Sequence, residues 1–324
     1  MSLFPPIEPH ATGMLGVPGA ELFWETSGNP RGIPALYLHG GPGAGLLSGH
    51  RRRFCPETFR IVAFDQRGAG RSLPRADESA ELLATCDFRT FVRDIEALRV
   101  HLGVDAWLLH GVSFGASLAL AYATSHPHRV LGVVGMALST TRASDVDWMT
   151  EGVGKLFPEA WAELSEAAPR PPGTRLVEAY RALLASPDPN VRERAARSWV
   201  AWEEAHVSLG GKGGDPRFAD PRFRATFATL VCHVFAELGE AFPMGDLARV
   251  SHLPTVLVHG RLDVSSPVGV PFEVARRWGP RCELQVVEDE GHGGPKMVDA
   301  CARAIARLAS THLLEPRLTG PTSP

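Results

Sequence analysis

The chain has 324 residues, 44% of them hydrophobic, and a net charge of −3, enough for one α/β core of roughly 200–250 residues plus an insertion. That balance gives no nucleic-acid surface: the run Arg51-Arg52-Arg53 is too short for a polyanion and reads as a solvated face. The five cysteines (Cys55, Cys86, Cys232, Cys282, Cys301) show no metal spacing and an odd count, so they read as reduced thiols; no metal or organic cofactor is expected. The opening residues lack the basic and apolar regions of a leader, and no stretch reaches the length of a membrane span, which predicts a soluble, cytoplasmic protein without a membrane partner.

In chain order, strand-like runs fall at residues 20–26, 35–38, 60–64, 106–109 and 130–136, with an amphipathic helix at 88–102. From 141 to 247 the pattern turns to helical periodicity, broken by Pro169-Arg170-Pro171-Pro172-Gly173 and by Gly210-Gly211-Lys212-Gly213-Gly214. The glycine run has almost no side chains to fix it, so mobility, and with it gating, is expected there. Strands resume at Thr255, and a last helix covers 296–308. The alternation predicts an α/β fold, a mostly parallel sheet with helices on both faces. The expected division is core at 1–140, helical cap at 141–247, core again at 248–314, and a disordered tail at 315–324.

Chemistry enters at Gly111-Val112-Ser113-Phe114-Gly115, between the apolar run Ala106-Trp107-Leu108-Leu109-His110 and a small-residue helix. A strand that reverses into a helix over one residue forces that residue into a strained conformation, and the flanking glycines remove side chains that would collide. Ser113 is the expected nucleophile; standing alone, the pattern would equally describe a tight turn. A serine hydroxyl needs a histidine base and an acid to orient it, following in that fold in the order Ser, acid, His. Asp263 lies just past the run Thr255-Val256-Leu257-Val258-His259, and His292 follows the strand-like Cys282-Glu283-Leu284-Gln285-Val286-Val287. Of 13 histidines, His292 alone combines a glycine-rich loop, a preceding strand and a place after the acid. The plainer alternative for Asp263 is a turn aspartate paired with Arg261. Upstream, His39-Gly40-Gly41-Pro42-Gly43 also follows an apolar run, and such a glycine pair lets backbone amides approach an oxyanion. The expected donors are the amides of Gly41 and Phe114, with Gly40 beside the substrate.

These motifs, together with Phe64-Asp65-Gln66-Arg67-Gly68-Ala69-Gly70-Arg71-Ser72, Val258-His259-Gly260-Arg261-Leu262-Asp263 and Gly291-His292, resemble the proline iminopeptidase (prolyl aminopeptidase) family of α/β-hydrolases. The resemblance implies an α/β-hydrolase fold and a metal-independent serine exopeptidase that removes an N-terminal residue, preferentially proline. It also implies that Ser198-Trp199-Val200-Ala201-Trp202-Glu203 matches the family's Trp-x-x-Trp-Glu, with Glu203 reading the substrate ammonium and Trp202 beside it. Such a charge-assisted bond is worth about 1.5–3 kcal/mol. Without the resemblance, Trp199 and Trp202 would read as core aromatics and Glu203 as a solvated face.

Two positions depart from the family pattern. Val231 stands where a second glutamate is common, and Phe114 where tryptophan is usual; both are expected on the substrate side, so they bear on specificity more than on catalysis. Glu204, Glu237 and Glu240 are the carboxylates that stand closest in sequence to replace the missing one. The leading expectation is therefore an aminopeptidase for small peptides with a free N-terminal amine. The alternatives are a carboxylesterase, amidase or tailoring hydrolase on the same scaffold, for which the substrate is an amide or ester, and a non-enzymatic binding member, which an intact triad disfavours.

Overall fold

A computed structural model describes residues 3–207, 209, 214–237 and 242–314. Eight strands form one sheet: β1 (Ala11–Val17), β2 (Ala20–Gly28), β3 (Ile33–Leu38), β4 (Phe59–Phe64), β5 (Trp107–Val112), β6 (Val130–Met136), β7 (Thr255–Gly260) and β8 (Cys282–Val287). Their spatial order is β1-β2-β4-β3-β5-β6-β7-β8. The β1–β2 and β2–β4 pairs are antiparallel, and every pair from β4 to β8 is parallel.

The parallel strands are apolar on both faces because both are covered. Leu36 and Leu38 of β3 point into one core, with Phe64 and Leu109; Ala35 and Tyr37 point into the other, with Phe59 and Val258. On the first face lie α1 (Ala80–Leu83), α2 (Phe88–His101) and α3 (Phe114–Ser125). Ten consecutive residues of α3, from Phe114 to Ala123, are buried, as expected of a helix apolar all round.

Between β6 and β7 the chain builds α4 (Ala143–Asp147), a π turn at Trp148–Gly152, then α5 (Pro158–Glu166), α6 (Leu176–Leu184), α7 (Pro189–Val207) and α8 (Pro221–Glu237). The proline-rich break at 169–173 joins α5 to α6. Tyr180 of α6 locks this layer: its hydroxyl lies 2.8 Å from both the Leu164 carbonyl and Ser198 Oγ, and its ring meets Trp199 edge-on. The chain then returns to the sheet, with α9 (Gly269–Trp278) on the first face and α10 (Pro295–Leu314) on the second, where Met297, Cys301 and Ile305 are buried.

Two expectations change, and others lie beyond the described residues. The edge strand β1 was not expected; it pairs along its whole length with β2. The basic run is not a solvated face: Arg51 is buried against Glu25 at 2.8 Å, and Arg53 donates to His110 Nε2 at 2.8 Å. A buried guanidinium needs a partner, and Glu25 on β2 supplies it. The Gly210 glycine run apart from Gly214, and the tail at 315–324, lie outside the described residues, as does Glu240.

Candidate active site

The parallel strands end along one edge of the sheet, and the loops beyond their carboxyl ends carry the polar groups, as expected for an open α/β sheet. At the end of β5, Ser113 has φ 55° and ψ −121°, a conformation that a non-glycine residue keeps only when its surroundings over-determine it. They do so here. The Ser113 amide donates to the Met136 carbonyl at 2.8 Å. A Cβ on Gly111 would lie 2.1 Å from the Gly115 carbonyl oxygen, and one on Gly115 2.3 Å from that of Leu38. Strand, turn and helix are thus packed backbone to backbone.

The loops after β7 and β8 bring the other two groups to this turn. His292 Nε2 lies 2.9 Å from Ser113 Oγ, and His292 Nδ1 lies 2.8 Å from Asp263 Oδ2. The other Asp263 oxygen accepts the Ser266 amide at 2.9 Å, and His259 Nε2 stands 3.2 Å from Oδ2. Burial works against ionising Asp263, yet the His292 and His259 rings and the Ser266 amide outweigh it and hold its pKa below the ordinary value. Burial likewise works to lower the His292 pKa, but Asp263 and, more weakly, Glu203 outweigh it, so the imidazole is more basic than usual. Arg261, the alternative partner of Asp263, instead pairs with Glu288.

The glycine loop after β3 comes close enough to touch the serine. A Cβ on Gly40 would stand 3.0 Å from the Val112 carbonyl oxygen and 3.1 Å from Ser113 Cβ, and Gly41 has φ 108°. Phe114 opens α3, where amides lack intrahelical acceptors. The Asp-Gln-Arg-Gly block turns out to brace this loop. Asp65 accepts the Leu46 amide at 2.6 Å and Arg71 Nε at 2.8 Å; Gln66 donates its amide to His39 Nε2 at 3.0 Å and its side chain to the His39 carbonyl at 2.8 Å. Arg67 reaches the other way, with two bonds of 2.7 Å to Asp94 on α2.

From the helical layer, α7 brings Glu203 to the triad. Its carboxylate is largely removed from water, which pushes its pKa up to about 7 despite the opposing influence of His292 and the Trp199 indole. Cys232 on α8 is fully buried and feels the Glu203 charge. Trp202 is buried too, its indole N–H donating to the Met149 carbonyl at 3.1 Å. Both tryptophans are thus buried in the core of the helical layer, while Glu203 is not a solvated side chain.

Phe114 departs from expectation. Its ring is buried edge-on against Phe88 and Phe91 of α2, so it faces a helix and not the substrate side. Val231 is fully buried. Glu237 is paired with Arg181, and Glu204 abuts Gly214. Sequence reasoning missed His206 and Ser265, whose ring nitrogen and hydroxyl lie 2.7 Å apart beside Glu203 and Asp263; the one available signal was the Ser265-Ser266 pair just after the acid.

Comparison with protein families matches residues 34–294 to the alpha/beta hydrolase fold. A probable proline iminopeptidase of Streptomyces coelicolor is 43% identical over 301 residues, covering 90% of this chain and 93% of that protein. A proline iminopeptidase of Arabidopsis thaliana is 39% identical, covering 90% and 77%. Among solved structures, a proline iminopeptidase-related protein from Thermus thermophilus superposes with a TM-score of 0.58 at 27% identity, covering 93% and 98%. With the sheet order, the strained serine and matches of this length in agreement, the chain belongs to the proline iminopeptidase family of α/β-hydrolases.

Proposed function

We propose that the protein is a serine aminopeptidase that releases an N-terminal residue, preferentially proline, from small peptides through an acyl-enzyme. The observation that carries this reading is the contact of His292 with Ser113 Oγ on one nitrogen and Asp263 on the other. Ser113 attacks the scissile carbonyl while His292 Nε2 accepts its proton, and Asp263 stabilises the resulting imidazolium. The amides of Gly41 and Phe114 receive the oxyanion. His292 returns the proton to the leaving amine, then takes one from the water that attacks the acyl-enzyme and gives it to Ser113 Oγ as the acyl bond breaks, freeing the residue as its carboxylate and restoring the serine.

Glu203 is the partner of the substrate's free ammonium, with Gly40 and Trp202 bordering the same space. A cation beside this carboxylate relieves the cost of its burial, and that relief ties binding to a free amine. Residues 141–247 serve as a cap over the strand ends. Among the described residues no helix is long and apolar enough to cross a membrane, and the five cysteines are unpaired, which fits the cytoplasm.

The test compares steady-state rates on proline-β-naphthylamide, its N-acetylated analogue and a p-nitrophenyl ester, with Ser113→Ala as the blank. A strong preference for the free amine and no turnover by Ser113→Ala are expected. Equal rates on the two amides would make the protein a general amidase or esterase and strip Glu203 of its role.

A further inference from the structure

His206 sits one helical turn beyond Glu203 on α7, and its ring is buried. Nδ1 lies 2.7 Å from Ser265 Oγ, and Nε2 faces Glu203 Oε2 at 4.0 Å. Ser265, itself buried, lies between Asp263 and the Ser266 whose amide holds that acid. A side chain of the helical layer therefore touches both the proposed amine-reading carboxylate and the loop that bears the orienting acid.

The protons on this chain of contacts can be assigned. A protonated ring is disfavoured, because burial and then the His292 charge push the His206 pKa down to about 3, against a weaker raising effect of Asp263. Of the two neutral tautomers, the Nδ1–H form, donating to Ser265 Oγ, would aim the Nε2 lone pair at a carboxylate. The Nε2–H form satisfies both contacts: Ser265 donates to Nδ1, and Nε2–H points at Glu203. At 4.0 Å this is an oriented dipole rather than a hydrogen bond.

We propose that His206, its ring anchored by Ser265 and facing the carboxylate as the Nε2–H tautomer, is a positioning residue that holds Glu203 toward the reacting serine with a neutral dipole. The proposal rests on Glu203 being the ammonium partner. A neutral dipole suits that task where a cation does not: it orients the anion without cancelling the charge that the substrate's ammonium must find. The other titratable groups facing Glu203 are His292 from the β8 loop and Cys232 from α8. The first serves the reaction, the second is a weak donor held neutral by burial, and the Trp199 indole on the same helix is a further neutral group that favours the charged carboxylate, so His206 shares with Trp199 the orienting of Glu203.

The test measures kcat and KM of His206→Phe, His206→Gln and Ser265→Ala on proline-β-naphthylamide and on a p-nitrophenyl ester across pH, with Glu203→Gln in parallel. His206→Phe is expected to raise KM for the free-amine substrate about tenfold more than for the ester. Its acid limb on the amine substrate should also move to higher pH, because Glu203 loses a dipole that favours its charged form. His206→Gln, which keeps an N–H near the Nε2 position, should recover most of the loss, and Ser265→Ala should shift both quantities in the same direction by less. Equal losses on both substrates, or an acid limb that does not move, would overturn the proposal and leave His206 a packing residue. If His206→Phe fails to fold, Ser265→Ala decides alone by the same two readouts. Should Glu203→Gln leave the preference for the free amine intact, the amine reading and this proposal fall together; should it abolish the preference while the His206 and Ser265 variants do not, only this proposal falls.

Discussion

In the proposed mechanism Asp263, His292 and Glu203 sit in environments that shift their protonation, and the signs give a pH dependence. His292 must be neutral to accept the Ser113 proton, and its pKa is raised above the ordinary 6.5 because the neighbouring carboxylates outweigh burial. Activity is therefore full above the raised value and falls as pH drops through it. Glu203, pushed up to about 7 by burial, must be charged to meet an ammonium, so it adds a second loss in the same direction for free-amine substrates alone. The acid limb of kcat/KM should be steeper for proline-β-naphthylamide than for a p-nitrophenyl ester. In Glu203→Gln the ester limb should shift to lower pH, since one of the charges that raises the His292 pKa is gone; a limb that stays in place would mean the two groups do not communicate. Asp263→Asn should lower kcat on both substrates by a factor on the order of 10⁴, the size of effect seen when the orienting acid of a serine triad is lost.

At the scale of elements, the site depends on braces that never touch the reacting groups. Arg67 and Asp94 tie the β4 loop to α2 through two bonds of 2.7 Å, both side chains nearly excluded from water. Removing one partner strands a buried charge, so Arg67→Met should destabilise the fold by about 3–5 kcal/mol in urea unfolding, and adding Asp94→Leu should recover much of it. A double variant no better than the single one would mean that the pair is not what holds the loop. These braces also mark how far the sequence could be read. Ser113, Asp263 and His292 stood out as candidates because each lies on a loop within a few residues of the end of a short apolar run, in the order that sheet geometry requires. Strand β1 was not, because Ala11-Thr12-Gly13-Met14-Leu15-Gly16-Val17 offers weak alternation and lies at an edge, where only its pairing with β2 holds it. The Arg51–Glu25 pair was hidden for a different reason: a charge run reads as solvated until a partner far along the chain is known to meet it.

Across the whole molecule, the helical layer between β6 and β7 is fastened to the loops that make the site. Trp148 Nε1 donates to the Val264 carbonyl at 2.8 Å, beside Asp263, and Thr226 of α8 donates to Asp77 at 2.6 Å. Arg217, stacked on Phe223, donates to the Ala44 carbonyl in the glycine loop after β3. None of these fastenings was legible, because each joins groups far apart in sequence and two of them end on a backbone carbonyl, of Val264 and of Ala44, that no side-chain pattern marks. They predict that disturbing the helical layer has distinct effects according to which loop it reaches. Arg217 acts on the loop assigned to the oxyanion, which serves every acyl substrate alike. Arg217→Ala should thus lower kcat on proline-β-naphthylamide and on a p-nitrophenyl ester by similar factors, about tenfold for one lost charge-assisted bond, with KM for the amine little changed. Glu203→Gln should do the reverse, raising KM for the free-amine substrate alone. If Arg217→Ala instead raised KM only for the amine, its reach would be into the ammonium site, and the helical layer would act on the reaction through substrate binding alone.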